Sequence, residues 1–98
     1  MLDDLKNYLQ ITWEDEETNK RVSGILSRAT ALLNKYAGVE IDFDKNEDER
    51  QLLFDCCRYI YNNSLAHFEK DFGGDLISLR AQYAVEGYLN EQAEVSDV

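Results

Sequence analysis

Two adjacent thiols, Cys56 and Cys57, and a single histidine, His67, are the obvious candidates for a nucleophile and its base in this chain. A cysteine–histidine pair works only when the imidazole lies within hydrogen-bond reach of the sulfur. Ten or eleven residues separate them, about 15 Å along a helix, so one helix cannot bring them together. Adjacent helical positions point about 100° apart, so the two cysteines are not expected to bond to each other or to share a metal. Zinc takes four ligands, usually in short-spaced pairs, and this set does not supply them. Partial burial of His67 at a helix end is expected instead. The acids Asp42, Asp44, Glu47, Asp48 and Glu49, with Asn46, are crowded like a calcium loop. The glycine that permits the sharp turn and the glutamate of the twelfth position are both missing. Helix capping and a solvated face account for the same residues. Gly73-Gly74 follows no strand and no lysine follows it, which excludes a phosphate loop. No catalytic residue, metal ligand or cofactor is therefore expected, and the chain does not read as an enzyme.

The aromatic residues are the better candidates for function. Trp13, Tyr36, Tyr59, Tyr61, Tyr83 and Tyr88 are many for so small a core. Tyr and Trp bring large area and a polar tip to protein interfaces. They line the edge of the core or, particularly on the last helix, meet another chain.

The elements that would position them are helical. Leu2, Leu5, Tyr8 and Leu9 give a short helix with one apolar edge, extended by Ile11. Thr12 and Asp15 have capping-box spacing, and Glu14 to Glu17 crowd the first turn of the next helix, where the helix dipole favours negative charge. That helix carries Val22, Ile25, Leu26, Ala29, Leu32, Leu33 and Tyr36 at steps of three and four, which makes one face apolar. Glu16–Lys20 and Glu17–Arg21 are favourable i,i+4 pairs on its solvent side. Gly24 inside it is either tolerated, at about 1 kcal/mol against Ala, or marks close approach of another helix. Gly38 ends it as a left-handed cap, with Val39 folding back. Residues 39–46 alternate as an extended connector with Val39, Ile41 and Phe43 inward. Asn46 with Glu49, or Asp44 with Glu47, can cap the helix after it. This third helix is expected from about Glu47 to Phe68, with a wide apolar arc typical of a central helix. Asn62-Asn63-Ser64 interrupts that arc. Gly73-Gly74 marks a turn, and a fourth helix carries Leu76, Ile77, Leu79, Tyr83 and Tyr88. The expectation is a single all-α domain over residues 1–90, a small bundle of two long helices plus shorter N-terminal and C-terminal helices. Residues 91–98 read as an acidic, frayed tail.

Composition agrees. Ninety-eight residues make one domain with a modest core, which oligomerisation would help. Proline is absent, so helix interiors are unbroken. The net charge is −10 and is uneven. Residues 1–38 hold five bases and six acids, whereas residues 39–98 hold five bases and fourteen acids. A nucleic-acid grip needs clustered Lys and Arg, and so does adhesion to an anionic membrane. Neither is expected. The acidity gives solubility, repels nucleic acid or meets a basic partner. Asp3, Asp4 and Lys6 interrupt any leader-like run, no stretch reaches the ~18 apolar residues of a membrane span, and the lack of a disulfide framework suits a reducing cytoplasm.

The order of these pieces resembles one family. The start Leu5-Lys-Asn-Tyr-Leu-Gln-Ile-Thr-Trp-Glu-Asp-Glu-Glu17, the helix end Leu33-Asn-Lys-Tyr-Ala-Gly38, the stretch Tyr59-Ile-Tyr-Asn-Asn-Ser-Leu-Ala-His-Phe-Glu-Lys-Asp-Phe72 and then Leu76-Ile-Ser-Leu-Arg-Ala-Gln-Tyr83 resemble the head–tail connector (adaptor) proteins of tailed bacteriophages and prophages, also labelled phage DNA-packaging proteins. The likeness covers about residues 2–85. It implies an all-α virion-assembly subunit, made in the bacterial host cytoplasm and built into the virion at the head–tail junction. Such subunits form a homo-oligomeric ring below the portal protein, extend the DNA channel and dock the next head-completion or tail protein. The family brings no active site, and an acidic surface would let DNA slide past. On this reading Tyr61, Tyr83 and Tyr88 form subunit or portal contacts. This chain differs from relatives in its short acidic tail, which has no base after Arg80. The alternative is a small acidic regulator that mimics DNA and occupies a nucleic-acid-binding protein.

Overall fold

Five helices succeed one another in the computed structural model, which describes residues 1–96, with side chains described through Glu86. They are α1 (Leu2–Tyr8), α2 (Glu16–Ala37), α3 (Glu47–Tyr61), α4 (Leu65–Asp71) and α5 (Gly73–Ser96). The fold is all-α, and there is no strand among the described residues.

Each helix boundary has a local cause. α1 ends in a Schellman turn. Gln10 takes φ 61°, its N–H bonds to Asn7 O, and Ile11 N–H reaches back to Lys6 O at 2.9 Å. The 6→1 bond satisfies a carbonyl left free by the helix end and directs Ile11 into the core. α2 is capped by Asp15, whose carboxylate accepts from Thr18 N–H at 2.7 Å and from the Thr18 hydroxyl at 2.9 Å. The cap thus lies three residues beyond Thr12, because the longer acidic arm reaches the free N–H of the first turn. Neither expected Glu–Lys or Glu–Arg pair on α2 closes as an ion pair among the described residues. Gly38 closes α2 at φ 76°, where only a residue without Cβ sits unstrained.

The connector turns instead of running extended. Ile41 and Phe43 are buried as expected, but Val39 is exposed. Ile41 N–H is held by the Asn34 side chain at 2.9 Å, so the chain leaves the end of α2 with Val39 on its outer side. Asn46 occupies the N-cap position of α3, yet its amide donates to Asp42 O and gives no side-chain cap.

The expected helix from Glu47 to Phe68 is broken into α3 and α4. Asn63 adopts φ 57°, and Ser64 N–H bonds to Tyr59 O at 2.8 Å while Asn63 N–H bonds to Ile60 O. This is a second Schellman turn, with asparagine where glycine is usual. The redirected α4 sends Phe68 wholly into the core. There it stacks on Phe72 at 4.9 Å and meets the edge of Tyr59 at 5.5 Å. His67 lies on the other side of α4 and is exposed, not partly buried. The next turn falls at Phe72, and Gly73-Gly74 form the first turn of α5 itself. α5 spans 24 residues, past Gly87 and into the segment expected to fray, and is the longest helix.

The core is one cluster. Val22, Ile25, Ala29, Leu33 and Ala37 of α2 meet Leu53, Phe54, Cys56 and Cys57 of α3, closed by Leu5, Phe68, Leu76 and Leu79. Burying a large apolar side chain fully is worth about 1.5–3 kcal/mol. Lys6 is also buried; its Nζ donates to Asn19 at 2.7 Å, tying α1 to α2. The molecule measures 56 × 27 × 18 Å.

Candidate interaction surfaces

α5 positions most of what can be recognised from outside. At about 100° per residue it carries three strips. Leu76, Leu79 and Tyr83 pack on the core. Asp75, Ser78 and Gln82 border a cleft of about 630 Å³ against the start of α3. Ile77, Ala81, Ala84 and Val85 face outward, with Ile77 72% and Val85 57% exposed.

The cleft is acidic. Glu47, Asp48, Glu49, Asp55 and Asp75 line it, against Lys45 as its one cation. Glu49 lies deepest, at 8% exposure. Its Oε1 accepts from the Tyr83 hydroxyl at 3.0 Å and from Gln82 Nε2 at 3.3 Å. Its Oε2 is buried without a hydrogen-bond partner. Burial, and then the bond to Glu49, push the Tyr83 phenol up to about 12. Asp55 accepts from the Tyr8 hydroxyl and pairs with Arg58 at 3.8 Å. No group of three or more His, Cys, Asp or Glu is placed to hold a metal among the described residues.

Tyr61 and Tyr83 lie apart. Tyr61 lies half-buried at the end of α3, with the Arg21 guanidinium 5.0 Å over its ring. Tyr83 is bonded to Glu49 near the start of α3. Twelve residues of helix separate Glu49 from Tyr61, about 18 Å. The side chain of Tyr88 lies outside those described. Tyr36 donates to Glu69, and Tyr59 to Asp71 at 2.7 Å. Cys56 and Cys57 are both free and buried, and desolvation pushes each thiol up to about 12.

Two surface features escape a reading of residue types. Glu49 stands four residues before Leu53 and seven before Cys56, which puts it on the apolar stripe of α3; that register was the available signal. The outward strip of α5 was visible as apolar residues, but not which of them stay uncovered. A Cβ built on Gly24 meets nothing within 4 Å, so no helix of this chain approaches it closely. No family model, curated protein or solved structure matches the chain.

Proposed function

We propose that this chain is a structural subunit of the head–tail junction of a tailed bacteriophage or prophage. It assembles with copies of itself as a ring below the portal, extends the DNA channel and docks the next head-completion or tail protein. The observation that carries this reading is the outward strip of α5, where Ile77, Ala81, Ala84 and Val85 are exposed, Ile77 and Val85 foremost. An apolar strip on a helix is stabilised when another surface covers it, and a second copy is the partner a ring supplies. The order of sequence elements and the all-helical architecture agree with the family resemblance. The −10 charge favours a channel wall that phosphates do not grip.

Electron microscopy of the purified protein with and without capsids carrying the portal of the same genome tests the proposal. Added density in the form of a ring at the portal vertex is expected. Capsids that bind no protein, together with a chain that stays monomeric at all concentrations, would remove it. Tight, salt-sensitive capture of a basic DNA-binding protein in place of the portal would favour the DNA-mimic alternative.

A further inference from the structure

We infer that the groove between the end of α2 and the middle of α5 receives residues 87–98 of a second copy of this chain. The inference deepens the ring proposal: it rests on copies of the chain pairing, and it says which surfaces meet.

The groove holds about 470 Å³. Buried Ala37 and half-buried Leu32 give it an apolar lining, and exposed Lys35 and Arg80 give it two positive charges. Neither base makes an ion pair among the described residues. Glu69 is the one acid on the lining, and its carboxylate already accepts from the Tyr36 hydroxyl. Lys35 also sits in the last turn of α2, where it offsets the negative end of the helix dipole. Arg80, inside α5, has no such duty. This chain has twice as many acids as bases. Two bases left without an acid beside an apolar groove fit an occupant that is anionic and partly apolar.

The same sequence encodes that occupant. After Arg80 come four acids, Glu86, Glu91, Glu94 and Asp97, and no base, while Leu89, Val95 and Val98 supply apolar side chains. The segment cannot fill its own groove. α5 is one helix from Gly73 to Ser96, so Glu91 lies eleven residues past Arg80, about 16 Å along the axis. The groove of another copy is the one within reach. Repeated head to tail, this match uses two different surfaces of each copy, the heterologous contact from which rings are built. Ala84 belongs both to the groove and to the outward strip of α5, so the seated segment also runs onto that strip. Exposed ion pairs are weak one by one. The apolar contact therefore holds the segment, and the charges select and orient it.

Sedimentation velocity of the full chain over a range of protein and salt concentrations tests this. The average mass should rise with protein concentration, and less steeply at high salt. Lys35→Glu with Arg80→Glu, and separately Glu91→Lys with Glu94→Lys, should each abolish the rise while keeping the helical content. Mixing the two variants should restore it, because each reversed surface then meets an opposite charge. Lys20→Glu with Lys45→Glu makes the same charge change at two exposed bases away from the groove, and should leave the rise in place. A wild-type chain that stays monomeric throughout, an equal loss in the Lys20 and Lys45 variant, or a mixture that does not associate would each overturn the inference. Rings at the portal vertex are read separately. Rings that the groove variant builds as well as the wild type would overturn this contact and leave the ring proposal standing, whereas pairing in solution with no ring on capsids would do the reverse.

Discussion

Cys56 and Cys57 show how burial governs chemistry at the residue scale. Both thiols are enclosed by α2 and α3, and desolvation lifts them from 9.0 to about 12. A thiol of that kind is protonated at neutral pH and a poor nucleophile. Thiol reagents should therefore label the folded protein only as fast as it unfolds, which stopped-flow labelling in increasing urea would check. The linkage has a definite sign. The unfolded chain releases the thiol protons near pH 9 while the folded chain retains them, so stability is fully present below pH 9 and is lost as pH rises toward about 12. Tyr8 and Tyr83 are raised too and act in the same sense. Urea midpoints should be flat up to about pH 9 and then fall, with a shallower fall in the Cys56→Ala/Cys57→Ala variant. An unchanged slope would mean that the thiols are not the titrating groups. Asp15 works in the opposite range. Thr18 holds its carboxyl below the usual carboxylate value, so its cap is intact above that value and is lost as pH falls through the lowered one.

At the scale of elements, the helix ends decide the topology. Asn63 holds the left-handed residue that splits α3 from α4. Replacing it by Gly should leave stability equal or better, and Asn63→Val should cost about 1–2 kcal/mol, measured by chemical melts. Mid-helix Gly24 is the contrasting case, since nothing in the chain lies near its Cβ position. Gly24→Ala should stabilise the monomer by about 1 kcal/mol, a rise of about 4–8 °C in a thermal melt. The broken third helix was half legible beforehand. Asn62-Asn63-Ser64 was visible as an interruption, but apolar spacing continues through it to Phe68. Nothing local says whether such a run bends or stays straight. The same ambiguity hid the displacement of the last turn from Gly73-Gly74 to Phe72.

The whole molecule is elongated. Its radius of gyration is 15.8 Å, against about 13 Å for a compact domain of this length. On α5, Ile77 and Val85 stay exposed. Ile77→Glu with Val85→Glu should keep the helical content and melting of the dilute protein. It should abolish any rise of melting temperature with protein concentration and any ring seen by microscopy. Tyr83 is a poorer probe of assembly than the sequence implied, because it packs against the core and bonds to Glu49. Its replacement by Ala would disturb the monomer as well. Gly24→Ala gives a second reading at this scale. A variant that is more stable as a monomer but defective in rings would place a neighbouring copy against α2.

Taken alone, the amino-acid order determined the helical class, the apolar face of α2 from Val22 to Tyr36 and the left-handed stop at Gly38. Those properties depend on spacing within a few residues, and period and end chemistry record them directly. Tertiary structure decided that Glu49 meets Tyr83, 34 positions away, that Phe68 turns inward while His67 stays in solvent, and which strip of α5 faces water. Each of these is set by the angle at which one helix lies on another. That angle follows from the sum of many packing contacts distant in the chain, and no short stretch of sequence contains it.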